Sequence, residues 1–405
     1  DGKRPWIAAL DGEGSGLVQV STRRLKGRKL FVWGTGTGGQ AWQRWLSDGS
    51  APPYLEIQAG LARTQLEHVP MPAHANWSWL EGYGLLQADP DRVHGEDWAQ
   101  AREAVTEQLE ALVTEAAFEA EHVRGRQWLD RPPAAILWRG SGWGALEAAR
   151  REQAGEPPFC TAGLVFDAAS LTAAQAPWLA LLREGHFPPA APDAVPEGIV
   201  VEAAWRALLE AAVARQPDAG WLAWLHLGVM RFQAGEFDAA RAAWVRSVEH
   251  TPTAWALRNL AVLDAQAGDH VGAAARYEQA HALLPDLLPL TVETGQALLA
   301  AERAQDWLDL VDDLPDAVRT RGRIRLLETL AALAVNDLDR AEALIASRFV
   351  MEDQREGEIS LGDLWLAYHA RRAIGASAPP DAAQLARIRH EHPIPPEWDF
   401  SMNET

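Results

Sequence analysis

Two glutamates in the first 90 residues, Glu56 and Glu81, have the neighbours expected of catalytic carboxylates. Each lies in a short run that alternates apolar with polar residues and contains aromatic side chains. Enzymes that cleave glycosidic bonds use a pair of carboxyl groups, one as the general acid and the other as the base or nucleophile. We therefore take Glu56 and Glu81 as candidate catalytic residues for sugar chemistry.

Side chains suited to binding a sugar surround both glutamates. The candidate substrate-binding residues are Tyr54, Gln58, Arg63, Gln65, Trp77 and Trp79. Successive side chains of a strand point to opposite faces, which places the tyrosine and Gln58 on the face of Glu56, and both tryptophans on the face of Glu81. The alternative is that these side chains form the solvent face of an antiparallel sheet, with the tryptophans packed against a neighbouring domain.

The elements that position these residues are predicted to be strands. Alternating segments at 6–10, 17–20, 30–33, 54–58 and 77–83 are separated by Gly, Pro and Asp. A long amphipathic helix over residues 98–123 is predicted to pack beneath this sheet. Residues 1–90 are therefore interpreted as a β-rich domain, or the last part of one.

A glycine-rich run at residues 34–39 matches the dinucleotide fingerprint, and Glu56 lies near the distance expected of a ribose-binding acid. The helix predicted after the run, at residues 40–46, is short, and further strands follow it instead of alternating strands and helices. We keep a nucleotide site as an alternative and expect no cofactor.

The second half of the chain contains two repeats that align at an offset of 33 residues. Trp224 aligns with Leu257 and Trp244 with Tyr277, and small residues, a turn glycine and an exit proline recur between them. This is the pattern of tetratricopeptide repeats, whose hairpins stack into an array with a concave surface. Such an array binds a protein partner or serves as passive scaffolding within one polypeptide.

The predicted fold class is α+β, an antiparallel β part followed by a mainly α tetratricopeptide-type array. Weaker repeats are predicted at residues 290–314 and 323–345, a leading helix at 202–215 and a last one at 361–374. The predicted domains are the β-rich part at 1–90, a mixed connecting region at 91–196, the array at 197–375 and a tail at 376–405. Residues 188–196, rich in Pro and Ala, are predicted to be a linker.

Four segments carry a resemblance to a known family. Residues 29–34, 54–65, 77–81 and 138–147 resemble the C-terminal part of an uncharacterised bacterial family. Its members join a galactose-mutarotase-like β-supersandwich to tetratricopeptide repeats. The resemblance implies a partial supersandwich and a carbohydrate-active protein with its site on the concave sheet face.

Composition excludes several classes of partner and site. The net charge of -19 repels nucleic-acid phosphates and anionic membranes, so we expect neither as a partner. The single cysteine, Cys160, fits a reducing compartment, and we predict a cytoplasmic protein. Residues 390–392, His-Glu-His, have no third ligand at a suitable spacing, so we expect no metal site.

The leading prediction is a glycoside hydrolase-like protein that binds carbohydrate on its sheet and uses the helical array as support. The alternative is a non-enzymatic tetratricopeptide scaffold that binds a protein partner. If the first prediction holds, Glu56→Gln abolishes turnover while the protein stays folded.

Overall fold

A computed structural model describes residues 4–47, 54–216, 218–375 and 380–402. The fold class is α+β, with a small antiparallel β part near the N-terminus and helices beyond it. The chain forms two compact units. The strand-containing unit comprises residues up to Trp138 together with Phe159–Val165, and the helical unit comprises Arg139–Pro158 and the residues from Phe166 onward.

The strand-containing unit has two sheets. Its strands and first helix are β1 (Trp6–Leu10), β2 (Ser15–Ser21), β3 (Gly27–Val32), α1 (Thr37–Leu46), β4 (Leu55–Gly60) and β5 (Glu81–Gln87). The strand order β1-β2-β5 makes one antiparallel sheet, and β3 pairs with β4 in the other. Because β3 and β4 run antiparallel, the glycine-rich run between them does not open the parallel strand–helix–strand unit of a dinucleotide site.

One face of the three-stranded sheet is buried by helices. Val18, Val20 and Leu86 alternate onto this face and pack with Val105 and Leu109. The helices that follow the sheet are α2 (Pro90–Val93), α3 (Trp98–Leu112) and α4 (Glu115–Arg126). The apolar residues that alternate in β2 therefore point toward the helices, while Gln19 and Ser21 of the opposite face are also buried.

The prediction of a single helix over residues 98–123 is wrong, because α3 and α4 are separate helices. Val113 is extended (φ -153°, ψ 118°) and ends α3. Thr114 then accepts a hydrogen bond from the backbone N–H of Ala117 and caps α4. A threonine is a favoured N-cap, and its side chain satisfies a donor that the helix leaves free.

The strand predicted at residues 77–83 begins later than expected, at Glu81. Its partner β2 ends at Ser21, which pairs with Glu81. One residue further, Thr22 and Leu80 still exchange two hydrogen bonds, but the ladder stops there. Trp77 and Trp79 consequently precede the strand, so strand alternation does not set the direction of their side chains.

The helical unit begins with α5 (Gly142–Ala154), α6 (Ala176–Glu184) and α7 (Ala203–Arg215), and two short 3-10 segments lie between α5 and α6. The next helices are α8 (Gly220–Gln233), α9 (Phe237–His250), α10 (Ala254–Gln266), α11 (His270–Leu283), α12 (Leu288–Ala300) and α13 (Ala304–Asp312). The last are α14 (Asp316–Arg319), α15 (Gly322–Ala334), α16 (Leu338–Ala346), α17 (Ser360–Ile374) and α18 (Ala382–Glu391).

Consecutive helices of the array form hairpins with short turns. Gly235, between α8 and α9, has φ +78°, and Gly268, between α10 and α11, has φ +81°. Asn336, between α15 and α16, has φ +64°. Glycine and asparagine tolerate the left-handed backbone that ends the first helix of such a hairpin. The predicted helical array is therefore confirmed.

Many of the tryptophans are core residues of the helical unit. Trp178, Trp205 and Trp307 are fully buried. Near the C-terminus, in the region predicted as a tail, Trp398 is also buried, and its indole N–H donates to the Phe349 carbonyl oxygen at 3.2 Å. The domain boundaries drawn from the sequence remain predictions.

Candidate functional site

Three helices of the array face a common cavity. These are α8, α10 and α12, the first helices of consecutive hairpins, and we call the surface that they form the groove. The cavity on the groove has a volume of about 390 Å³. First helices of stacked hairpins line the concave side of a repeat array, where such proteins bind their partners.

An irregular segment of the chain lies against the groove. Residues 188–199, which we call the strap, contain no helix or strand. Three indole N–H groups donate to strap carbonyl oxygens, Trp221 to Ala190 at 2.9 Å, Trp255 to Ala194 at 3.0 Å and Trp178 to Glu197 at 3.3 Å. The strap is therefore held chiefly through its backbone.

The cavity lies between the strap on one side and the helices on the other, and it is open to solvent. The strap contributes Val195 and Ile199, whose side chains are 63% and 79% exposed. Leu225 and Val229 of α8 and Leu290 of α12 face them. These side chains make the walls largely apolar, as is usual for a binding pocket.

Two polar features of α10 face the cavity. Within the described part of the chain, no hydrogen bond is made to the side-chain amide of Asn259. Arg258 donates two hydrogen bonds to Glu293 of α12, at 2.8 and 2.6 Å. This bond to Glu293 raises the pKa of the Arg258 guanidinium above its usual value. The cavity thus offers the unpaired amide of Asn259 beside the ion pair of Arg258 with Glu293.

A buried histidine borders the cavity from α8. His226 is 4% exposed, and its ring lies edge-on to Trp178 at 4.8 Å and to Phe187 at 5.6 Å. Burial lowers the pKa of His226 to about 4, so its imidazole is neutral near pH 7. An uncharged ring is compatible with the apolar walls.

The residues predicted to bind sugar are only partly brought together. Around Glu81, three donors reach the carboxylate, the Trp79 indole at 3.1 Å, the Tyr83 hydroxyl at 2.9 Å and the Gln19 amide at 3.1 Å. We call these four residues the Glu81 cluster. The bond to Glu81 raises the pKa of the Tyr83 hydroxyl. Trp79 thus contacts Glu81, although it precedes the strand.

The other predicted residues lie elsewhere in the strand-containing unit. Glu56 and Gln58 are on β4, in the two-stranded sheet, where they pair with residues of β3. Tyr54 precedes β4, and Arg63 and Gln65 lie in the turns that follow it. Among the contacts of the described residues, none joins these five side chains to the Glu81 cluster.

Trp77 has a different partner. The guanidinium of Arg24 lies over its ring at 5.6 Å, in a cation–π contact. Gln19 was not identified from the sequence, because it reaches Glu81 only through the pairing of β2 with β5. The functional roles of Glu56, Glu81 and their neighbours remain predictions.

Neither a metal-binding cluster nor a membrane-spanning helix occurs among the described residues. No group of three or more His, Cys, Asp and Glu side chains in these ranges is arranged to hold a metal ion. No helix in the same ranges is both long and apolar enough to cross a membrane.

The hairpins and their common groove define a helical-repeat protein of the tetratricopeptide type. No protein-family profile matches the chain, and no curated protein matches it. Similar solved structures include a tetratricopeptide repeat protein from Parabacteroides merdae, with 18% identity and a TM-score of 0.35, covering 46% of this chain and 77% of that one. Pseudomonas aeruginosa pilF has 14% identity and a TM-score of 0.32, covering 46% and 88%.

A third similar structure covers more of this chain. It is a TPR-domain containing protein from Parabacteroides distasonis, with 16% identity and a TM-score of 0.47, covering 95% of this chain and 57% of that one. At these identities only the fold is compared. The assignment of repeat type rests on the hairpins themselves and on the 33-residue offset between Trp224 and Leu257.

Proposed function

We propose that this protein is a non-enzymatic repeat scaffold whose groove binds a peptide segment of a partner protein. The observation that carries this proposal is the cavity, which has apolar walls and an unpaired amide at Asn259. We place this interaction in the cytoplasm, as the single cysteine predicts.

The strap indicates which chemistry the groove accepts. It is a peptide without helix or strand, and indole donors bind its carbonyl oxygens. The Asn259 amide has both a donor and an acceptor, which match the C=O and N–H groups of a peptide backbone. An apolar side chain of the same peptide would pack against Leu225, Val229 and Leu290 of the groove. The proposed occupant is therefore an irregular, apolar peptide segment.

A phage-displayed library of random dodecapeptides, selected on the full chain, tests this proposal. We expect apolar peptides whose affinity falls about tenfold in Asn259→Ala, because two hydrogen bonds to the backbone are lost. Val229→Asp places a charge on the α8 wall of the cavity and should weaken the same peptides.

Asn76→Ala is the matched control, because Asn76 is exposed and lies in the strand-containing unit. Selected peptides should bind this variant as they bind the unmodified protein. If no peptide is selected, or if Asn259→Ala and Val229→Asp both bind the selected peptides normally, the groove is not the binding site.

A carbohydrate site in the strand-containing unit is the second candidate function. The Glu81 cluster favours it, because the partly exposed rings of Trp79 and Tyr83 flank a carboxylate. The resemblance to the family with a galactose-mutarotase-like sandwich is the other support. In this proposal the catalytic residues are Glu56 and Glu81, and the sugar-binding residues are Tyr54, Gln58, Arg63, Gln65, Trp77 and Trp79.

A glycan-binding and hydrolysis screen tests the carbohydrate proposal. Glu81→Gln and Glu56→Gln should each abolish turnover of any sugar that the unmodified protein cleaves, because each removes one of the two proposed carboxylates. Undiminished turnover in either variant would show that the residue is not catalytic.

A further inference from the structure

We propose that the strap is an internal ligand that competes with the partner peptide for the groove. This inference rests on the proposed function and adds a form of regulation to the same site. It comes from one juxtaposition, in which strap residues Val195 and Ile199 line the same cavity as Asn259 of the groove.

The contacts of the strap are ones that another peptide can reproduce. Its three bonds to Trp178, Trp221 and Trp255 are all accepted by backbone carbonyls, which every peptide carries. Several strap side chains face solvent, including those of Val195 and Ile199. Recognition therefore depends on the strap backbone and on the small side chains of Ala190 and Ala194, which pack against the helical core. A partner peptide with small apolar residues at these positions can take its place.

The strap is anchored in the core at both ends, and between them it is held by the three indole bonds and by the packing of Ala190 and Ala194. Phe187 and Val200, which flank it, are buried in the core of the helical unit. Between them the strap lacks the hydrogen-bond ladder of a helix or strand, so it belongs to the parts of a fold that open most readily. A released strap would stay tethered, at an effective concentration on the order of millimolar. Such a tethered ligand prevents peptides of low affinity from binding the groove, and peptides of high affinity displace it.

Gly198 provides a way to release the strap without changing the groove. Its φ is +75°, and a Cβ atom there would lie 2.1 Å from Cη2 of Trp143. Gly198→Ala therefore strains the seated strap twice, through the backbone and through the indole. Gly235→Ala is the matched control, because Gly235 has φ +78° in a hairpin turn, with no atom within 4 Å of the added Cβ.

The experiment titrates a fluorescent synthetic peptide with the sequence of residues 187–200 into the full chain. We expect Gly198→Ala to bind this peptide at least about tenfold more tightly than the unmodified protein does, because the internal competitor is weakened. Gly235→Ala should bind like the unmodified protein. Adding Trp221→Phe and Trp255→Phe to Gly198→Ala should remove the gain, because phenylalanine has no N–H to donate.

Equal peptide affinity in Gly198→Ala and in the unmodified protein would overturn the inference. If phage-selected peptides still bind under that result, the proposed function stands and only the competition is wrong. Hydrogen exchange in the unmodified protein gives a second test that needs no variant. Strap amides should exchange faster than those in the middle of α8, and exchange at the same rate as α8 would show a fixed strap and overturn the inference.

Discussion

The indole of Trp244 packs directly against the backbone of Gly228. A Cβ atom at residue 228 would lie 2.2 Å from Nε1 of Trp244, and that indole N–H donates to the Leu225 carbonyl oxygen at 3.0 Å. The same arrangement occurs between α12 and α13, where a Cβ at Gly295 would lie 2.8 Å from Cζ2 of Trp307. A missing side chain on the first helix thus makes room for a tryptophan on the second.

Gly228→Ala should destabilise the helical unit. The added methyl group overlaps the buried indole of Trp244, and neither helix can move away without breaking the hairpin. We expect the free energy of unfolding to fall by about 1–3 kcal/mol, the usual cost of an overpacked core. Chemical denaturation followed by circular dichroism measures this change.

Gly125→Ala is the control for the helix propensity of alanine. Gly125 lies in α4, and no atom is within 4 Å of an added Cβ. This substitution should stabilise the protein by up to about 1 kcal/mol, because alanine favours the helix over glycine. If Gly228→Ala were also stabilising, the close contact with Trp244 would not exist in solution.

The hairpins that contain Gly228 and Trp244 could be predicted from the sequence, and the position of the strap could not. The next repeat has the small residue Ala261 and the aromatic residue Tyr277 at the matching positions, so periodicity indicated the hairpins, although it placed Trp244 between neighbouring hairpins and not against Gly228. The Trp255 indole reaches Ala194 across 61 residues and binds a backbone carbonyl, which every residue has. Composition identified the strap as rich in Pro and Ala, and no side-chain pattern indicated where it would lie.

The Glu81 cluster shows the same limit in the strand-containing unit. Alternation placed Glu81 and Tyr83 on one face, which the structure bears out in their hydrogen bond. Alternation does not show which strand lies next to β5. The neighbour is β2, although β3 and β4 come between β2 and β5 in the sequence. Gln19 therefore went unnoticed, although its amide donates to Glu81.

Glu328 should be important for the stability of the C-terminal hairpins. Its side chain is 2% exposed and accepts a hydrogen bond from Arg340 at 2.8 Å, with Arg319 at 3.4 Å. Glu328→Gln removes the negative charge, while Asp312 still pairs with both guanidinium groups. We expect a loss of about 1–3 kcal/mol in the free energy of unfolding, because a buried hydrogen bond between charged groups is weakened.

The control for Glu328 is an exposed ion pair of the same types. Glu249 bonds Arg246 at 3.1 Å, and both side chains are more than half exposed. Glu249→Gln should change the free energy of unfolding by less than about 0.5 kcal/mol, since solvent screens the pair. Equal effects of the two substitutions would mean that Glu328 is hydrated in solution.

Glu81→Gln should lower the pKa of Tyr83. The hydrogen bond from the Tyr83 hydroxyl to the Glu81 carboxylate is the largest cause of its raised pKa, and the charge of Glu81 adds to it. A neutral amide accepts a weaker bond and does not repel the tyrosinate. Ultraviolet absorbance during an alkaline titration measures the shift as a difference between the two proteins.

Glu56→Gln is the control for the Tyr83 titration. Glu56 lies on β4 in the other sheet and makes no contact with Tyr83 within the described part of the chain. Its substitution should leave the Tyr83 pKa unchanged. A shift as large as that of Glu81→Gln would place the two carboxylates close together and favour the carbohydrate proposal.

The helical unit should lose stability on acidification because of His226. Burial lowers the pKa of His226 from 6.5 to about 4, so the unfolded chain binds a proton that the folded protein does not. The stabilisation is complete above about pH 6.5 and is lost as the pH falls toward about 4. Between about pH 7.5 and about pH 5 we expect a loss of about 2 kcal/mol from this residue.

His226→Phe isolates the contribution of His226. Phenylalanine keeps an aromatic ring against Trp178 and Phe187 but cannot take up a proton. The pKa of His369 is also lowered to about 4, mainly by burial, and this second contribution is present in both proteins and cancels in their difference. Denaturation curves at the two pH values give the free energy of unfolding at each pH. The loss of this free energy between about pH 7.5 and about pH 5 should be about 2 kcal/mol smaller in His226→Phe than in the unmodified protein. An unchanged pH dependence would mean that the His226 ring reaches solvent, as it could if the strap left the groove.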